Sequence, residues 1–332
     1  MAALGRVTVS ERRSIGASLT VVNASVGGMQ PPAPGTLRVL HLSDTHLTGD
    51  GALHQGSTDT TAALDAVLER ADGIPGVGLV VVSGDVSEDG SPESYRAVRE
   101  RVGAWAERHG AAFVAVPGNH DLREGFRQVL TNGHVLGEGG RPLAHTLEYL
   151  PPTVPVSGWS VVAGRRVVTV DTSVPGAGYG EVGDTALERL RTALTQEDAP
   201  HGSIVVLHHP PMPAPTSLHQ ALRLRNPDAL AEVLRGSDVR VVLAGHYHHH
   251  SAGTLAGVPV LVAPGVANDT DVTGVYAEES AYVDAGALVV DVAEDGTVWS
   301  TPFRVPRPDA DPLAFHLDAE TVARVIDAST GR

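Results

Sequence analysis

Phe113-Val114-Ala115-Val116-Pro117-Gly118-Asn119-His120-Asp121 passes from a short apolar run straight into residue types that hold metal ions through nitrogen and oxygen. The same transition recurs on either side of it. Leu37 to Leu42 leads into Asp44-Thr45-His46, Leu79 to Val82 into Gly84-Asp85, Ile204 to Leu207 into His208-His209, and Val239 to Leu243 into Gly245-His246-Tyr247-His248. These runs, together with Val167 to Val170, read as buried strands. Between them Thr58 to Ala71, Pro92 to Arg108, Asp184 to Leu194 and Pro227 to Leu234 carry apolar residues at helical spacing. Strands alternating with helices predict a layered α/β fold. In such a fold the loops at the carboxyl ends of neighbouring parallel strands share one sheet edge, so donors far apart in sequence converge there.

A lone Asp-x-His or Gly-Asp pair is more often a cap or a turn than a ligand set; five such blocks at successive strand ends are a different observation. Asp44, His46, Asp85, Asn119, His208, His246 and His248 outnumber the roughly four to six positions around one ion, so two metals are expected, with Asp85 bridging them from a tight turn. Gly84, Gly118 and Gly245 lack a Cβ and let the backbone approach the ions closely. His209, His249 and His250 stand beside these donors and read equally well as packing or solvated imidazoles, while His54, His134 and His145 read as background. Arg223 and Arg225 are candidate clamps for a substrate phosphate or carboxylate; the plainer reading is an exposed basic face.

Composition narrows the function. The 332 residues allow one large α/β domain or two ordinary ones, and 42% hydrophobic residues with 4% aromatic imply an aliphatic core. A formal net charge of -15 argues against a duplex nucleic acid partner. The absence of cysteine removes disulfides, thiolate nucleophiles and metal-thiolate sites, while 16 histidines ask for a reason. Residues 1–35, closing on a Pro-rich tract, read as a disordered arm without a signal-peptide core. Residues 36–303 read as one domain, because the motifs lie on both sides of the Pro-rich stretches. Residues 304–332 read as a tail with a short helix over Ala319 to Ile326. No apolar run reaches membrane-spanning length, so the expected location is cytoplasmic, with no membrane partner.

The ordered blocks DTH, GD, GNHD, the His208 block and GHYH resemble the signature of the calcineurin-like metallophosphoesterases. Val206 to Pro211 (VLHHPP) and Asp171 to Gly176 (DTSVPG) make the chain look most like bacterial class III cyclic nucleotide phosphodiesterases and their glycerophosphodiesterase relatives, over about Thr36 to Val292. The resemblance implies a four-layer αββα sandwich of two mixed β-sheets flanked by helices. It implies one metal on Asp44, His46, Asp85 and His248 and a second on Asp85, Asn119, His208 and His246, the ions being Mn²⁺, Fe²⁺/Fe³⁺ or Zn²⁺. His120 is then the proton donor to the leaving group, Asn119 and His120 touch substrate, and Glu88 stands where many relatives place an Asp that orients this histidine. The implied reaction is hydrolysis of 3′,5′-cyclic AMP or a related cyclic nucleotide by a metal-bridging hydroxide. The alternatives are a glycerophosphodiesterase, a general small phosphodiesterase or phosphomonoesterase and, from another class, a non-catalytic protein-binding scaffold. The expected partner is a small-molecule phosphodiester, with homodimerisation left open. Tyr179-Gly180 departs from the His-Gly pair common in close relatives, which points to a changed substrate-side contact.

Overall fold

A computed structural model describes residues 28–143, 150–305 and 313–330. In chain order the strands are β1 (Leu37–Leu42), β2 (Val77–Ser83), β3 (Ala112–Val116), β4 (His134–Gly137), β5 (Arg141–Pro142), β6 (Gly158–Val162), β7 (Arg165–Thr169), β8 (Ser203–Val206), β9 (Val239–Ala244), β10 (Ser251–Leu255), β11 (Val258–Val262), β12 (Asp269–Thr270), β13 (Glu279–Tyr282), β14 (Ala285–Val292), β15 (Val298–Val305) and β16 (Leu313–Leu317). The helices are α1 (Thr60–Ala71), α2 (Pro92–His109), α3 (Arg123–Leu130), α4 (Asp184–Leu194), α5 (Ser217–Leu222), α6 (Pro227–Leu234) and α7 (Ala319–Thr330).

Two mixed sheets form the middle of the molecule. One has the order β15-β14-β1-β2-β3-β4-β5 and the other β10-β11-β9-β8-β7-β6. Strands β1, β2 and β3 run parallel, as do β7, β8, β9 and β11. Alternation along the strands builds three apolar layers. Leu40, Leu42, Val80, Val82, Phe113 and Ala115 pack with the buried faces of α1 and α2. The intervening residues Val39, Leu79, Val81, Val114 and Val116 turn the other way and meet Val167, Ile204, Val206, Val241 and Leu243 of the second sheet. The far face of that sheet packs with Leu187 and Leu190 of α4 and Leu230 and Leu234 of α6. The result is helix, sheet, sheet, helix: the αββα layering.

Helix boundaries follow local chemistry. The Asp59 carboxylate accepts from the Ala62 amide to start α1; Ser91 caps α2 ahead of Pro92, and Gly110 ends it in the left-handed region. Trp105 inside α2 donates its ring N–H to the Leu68 carbonyl, fixing α2 against α1.

A third, small sheet has the order β12-β13-β16, and α7 packs against α5. Leu313 to Thr330 therefore contributes a strand and a helix to the body of the fold, and β15 runs across the boundary that the sequence suggests at residue 303. Of the arm expected over 1–35, residues 1–27 lie outside the described residues; beyond them Met29 packs on the core, and the carbonyls of Gln30 and Gly35 accept from Arg38 and Arg165. Among the described residues no helix is long and apolar enough to cross a membrane.

Candidate metal centre

The carboxyl ends of β1, β2, β3, β8 and β9 meet at one edge of the sandwich, and all seven donors named above gather there. Asp44, His46, Asp85 and His248 bring one donor atom each to within 4.8 Å of one another. His248 Nε2 lies 3.3 Å from Asp44 Oδ1 and 3.2 Å from His46 Nε2. A second group lies across Asp85: His208 Nε2 is 3.3 Å from Asp85 Oδ2 and 3.1 Å from Asn119 Oδ1. Asp85 Oδ2 is also 3.6 Å from His46 Nε2, so one carboxylate oxygen faces both groups.

Hydrogen bonds at the far ring nitrogens set which atom each imidazole offers. His46 Nδ1–H donates to Glu88 (2.7 Å), His208 Nδ1–H to the Ser83 carbonyl (2.8 Å) and His248 Nδ1–H to Asn268 (2.8 Å), which leaves Nε2 of all three aimed at the cluster. His246 is turned the other way, its Nε2–H donating to the Leu222 carbonyl at 3.0 Å and Nδ1 left as the free donor atom. His209 also lies close to His208 and His246, but the Thr172 hydroxyl engages its Nδ1 and its Nε2–H reaches the Gly178 carbonyl, so both nitrogens are used in packing. His249 and His250 bond to Asp269 and the Val262 carbonyl. His134 bonds to Ser160, and His145 lies outside the described residues.

The backbone is strained where the donors sit. Asp44, His46, Asp85, His246 and His248 all have φ between 44° and 72°, a region that side-chain-bearing residues rarely occupy. Backbone hydrogen bonds donated by the Asp44 amide to the Gly84 carbonyl and by the His46 amide to the Asp85 carbonyl hold two of these turns. The Asp121 carboxylate accepts the amides of Val86, Ser87 and Gly118, tying the loop after β2 to the loop after β3. At Gly84 (φ 99) a Cβ would strike the His208 ring, and at Gly118 it would strike the Asp85 carboxylate.

Electrostatics fit a cation pair. Burial alone raises a carboxyl, yet His248 beside Asp44 and His208 beside Asp85 outweigh it and hold both below the usual range. Burial keeps His46 neutral, lowering it to about 4, whereas Asp85 overcomes burial at His208 and raises it to about 9. Two fully buried carboxylates thus demand positive charge, and no arginine among the described residues pairs with either. Divalent ions on N and O donors supply that charge and displace the imidazole protons. The donor set fits such ions.

At the rim, His120 is partly exposed; its amide donates to Asp85 Oδ1 (2.9 Å) and its Nδ1 lies 3.1 Å from Glu88 Oε2. Burial works against the proton on His120, but Asp85 and Glu88 raise it to about 9. Glu88 also reaches His54 Nδ1 at 3.3 Å, so one carboxylate gathers three imidazoles. His54, Asn268, His219 and Glu279 join this cavity without having been singled out as site residues in the sequence. Arg223 and Arg225 are not brought to it. Leu222 at the end of α5 and Leu224 beyond it are buried, while Arg223 and Arg225 are exposed, Arg225 stacking 3.1 Å over the Tyr179 ring.

Fold and site together define a metallophosphoesterase. The chain belongs to the calcineurin-like phosphoesterase family, whose pattern matches residues 37–250. It is 36% identical over 315 residues, 92% of each chain, to a Rhodococcus erythropolis protein named "Probable cyclic nucleotide phosphodiesterase". It is 36% identical over 239 residues to a Mycobacterium tuberculosis cAMP/cGMP dual specificity phosphodiesterase, covering 71% of this chain and 69% of that one. Among solved structures, the GAP50 anchor of the Plasmodium inner membrane complex shares the fold alone, with a TM-score of 0.50 at 15% identity over 88% of this chain and 94% of that one. The family makes the chain a phosphoesterase hydrolase with a centre suited to two divalent metals.

Proposed function

We propose that the chain hydrolyses 3′,5′-cyclic nucleotides, cyclic AMP or cyclic GMP, at this centre. The observation that carries the reading is Asp85 Oδ2 facing His46 on one side and His208 on the other, within a relative pattern 36% identical to phosphodiesterases of that substrate class. Asp44, His46, Asp85 and His248 would hold one ion, and Asp85, Asn119, His208 and His246 the other. Ions of the Mn²⁺, Fe or Zn²⁺ type supply neutralisation of the phosphoryl oxygens and an acidified water. Ser83, Asn268 and Glu88 fix the rings of His208, His248 and His46 so that their Nε2 atoms stay directed inward. His120 keeps Nδ1–H on Glu88 and presents Nε2–H to the ribose oxygen that leaves, which needs a proton because an alkoxide is a poor leaving group. Asn119 and His120, at the mouth of the cavity, are the protein contacts nearest the phosphate. The reading includes no membrane contact and a small-molecule partner.

The test is a hydrolysis panel of cyclic AMP, cyclic GMP, bis(p-nitrophenyl) phosphate, glycerophosphodiesters and monoesters, run in Mn²⁺ and after chelation. Highest kcat/KM on a cyclic nucleotide, lost on chelation and restored by metal, is the expected result. A preference for glycerophosphodiesters or monoesters overturns the substrate and leaves the phosphoesterase standing.

A further inference from the structure

The cavity over the metal donors, 360 Å³ in volume, is lined in part by residues that the metal chemistry does not use. Among these, Phe315 and Leu317 of β16 and Val325 of α7 are apolar, and one carboxylate, Glu279 at the start of β13, lies with them. Glu279 is 3% exposed, and neither of its oxygens makes a hydrogen bond of normal geometry among the described residues, although the Thr216 hydroxyl is close enough to pull its carboxyl down. The nearest basic atom, His219 Nδ1, lies 3.5 Å away and is already engaged with the Thr216 hydroxyl at 3.0 Å. A buried carboxyl without partners costs stability that a leucine at the same place would not. An unanswered acceptor in the lining of a ligand cavity, beside apolar side chains, is the arrangement that orients a flat heterocycle with a polar edge.

We propose that Glu279 reads the nucleobase, its carboxyl accepting hydrogen bonds from ring-edge N–H groups while the phosphate lies at the metal donors. The inference rests on the cyclic nucleotide reading above and adds to it the residue that sets base preference. An ionised carboxyl offers two acceptors, matching the paired N–H donors on the guanine edge. A protonated carboxyl offers one donor and one acceptor, matching the adenine edge; burial raises Glu279 to about 7, which makes both forms accessible near neutrality. The side chain thus serves two bases as one acceptor–donor pair or as two acceptors, whereas glutamine keeps the adenine match and loses the two-acceptor match to the guanine N–H pair.

The experiment measures kcat/KM for cyclic AMP, cyclic GMP and bis(p-nitrophenyl) phosphate, which has no base, in the wild-type chain, Glu279→Gln and Glu279→Ala, with metal content per chain recorded. Glu279→Ala is expected to lower the ratio of cyclic nucleotide to bis(p-nitrophenyl) phosphate turnover by about 10-fold to 100-fold, the worth of a hydrogen bond to a charged group. Glu279→Gln is expected to shift preference toward cyclic AMP over cyclic GMP by about 10-fold. Unchanged ratios in both variants, or an equal loss on all three substrates, overturns the assignment. A wild-type chain that turns over bis(p-nitrophenyl) phosphate but neither cyclic nucleotide overturns the nucleotide reading itself, and that result is visible before any variant is made.

Discussion

Asp85 Oδ2 lies 3.3 Å from His208 Nε2, and the same oxygen is 3.6 Å from His46 Nε2 on the opposite side. That shared position makes the two residues unequal. Asp85→Ala should empty both metal positions, whereas His208→Ala should lower occupancy of one. Metal content after dialysis, counted per chain, decides between them; two ions retained in Asp85→Ala would remove the bridging role.

His120 should matter in proportion to how badly the leaving group needs a proton. Its Nδ1 is held by Glu88 at 3.1 Å, which leaves Nε2–H for the substrate. His120→Ala is expected to keep both metals and lose about 10²-fold to 10⁴-fold in kcat on cyclic AMP, with a much smaller loss on bis(p-nitrophenyl) phosphate, whose nitrophenolate leaves unaided. Equal losses on the two substrates would make His120 a stabiliser of phosphoryl charge instead.

Glu279 gives a stability signature that is separate from turnover. Burial is the main cause of its rise to about 7 from the ordinary 4.5; the Thr216 hydroxyl and His248 pull it down and Asp271 pushes it up, while His219 facing it stays neutral. Between those two values the folded chain holds a proton that the unfolded chain has released, so stability falls as pH rises through the interval. Relative to Glu279→Gln, the wild-type chain should lose on the order of 3 kcal/mol from pH 4 to pH 8. Urea unfolding of both proteins across that range checks the difference, and parallel pH profiles would contradict it.

Helix α7 closes the cavity from the carboxyl-terminal side. Val322 is its buried residue, the Gly178 amide donates to the Ser329 carbonyl, and the helix packs on α5, which carries His219 and Leu222. A charge at Val322 cannot stay buried there. Val322→Asp is therefore expected to raise KM for cyclic AMP about 10-fold with a smaller effect on kcat, measured by steady-state kinetics. An unchanged KM would show that the wall does not hold substrate.

The strands that carry donors were legible because each is a short aliphatic run ended by a metal-ligating block, and buried parallel strands leave that trace. Helices Asp184–Leu194 and Pro227–Leu234 were equally plain from their periodicity. Val167 to Val170 was legible as well without a donor, but the other strands that carry no donors were not. β15 alternates exposed and half-buried residues at a sheet edge and contains Pro302, so it reads as tail, and β13 and β16 are short strands of a small third sheet. The same blindness hid Glu279 and Asn268, whose neighbours in sequence offer no ligand pattern; only the pairing of β13 with β16 and the turn after β11 bring them to the cavity. Arg223 and Arg225 drew notice as a basic pair in an acidic chain, and the plainer reading of an exposed basic face is the one that fits their exposure.

The central claim is tested most directly by reconstituting the chelated protein with Mn²⁺ and following metal bound per chain against cyclic AMP hydrolysis in the same titration. Activity that emerges as occupancy approaches two ions per chain, and vanishes again on chelation, is the predicted result. A chain that binds two ions and leaves cyclic AMP and cyclic GMP intact, or one that hydrolyses them fully with no metal bound, would contradict it.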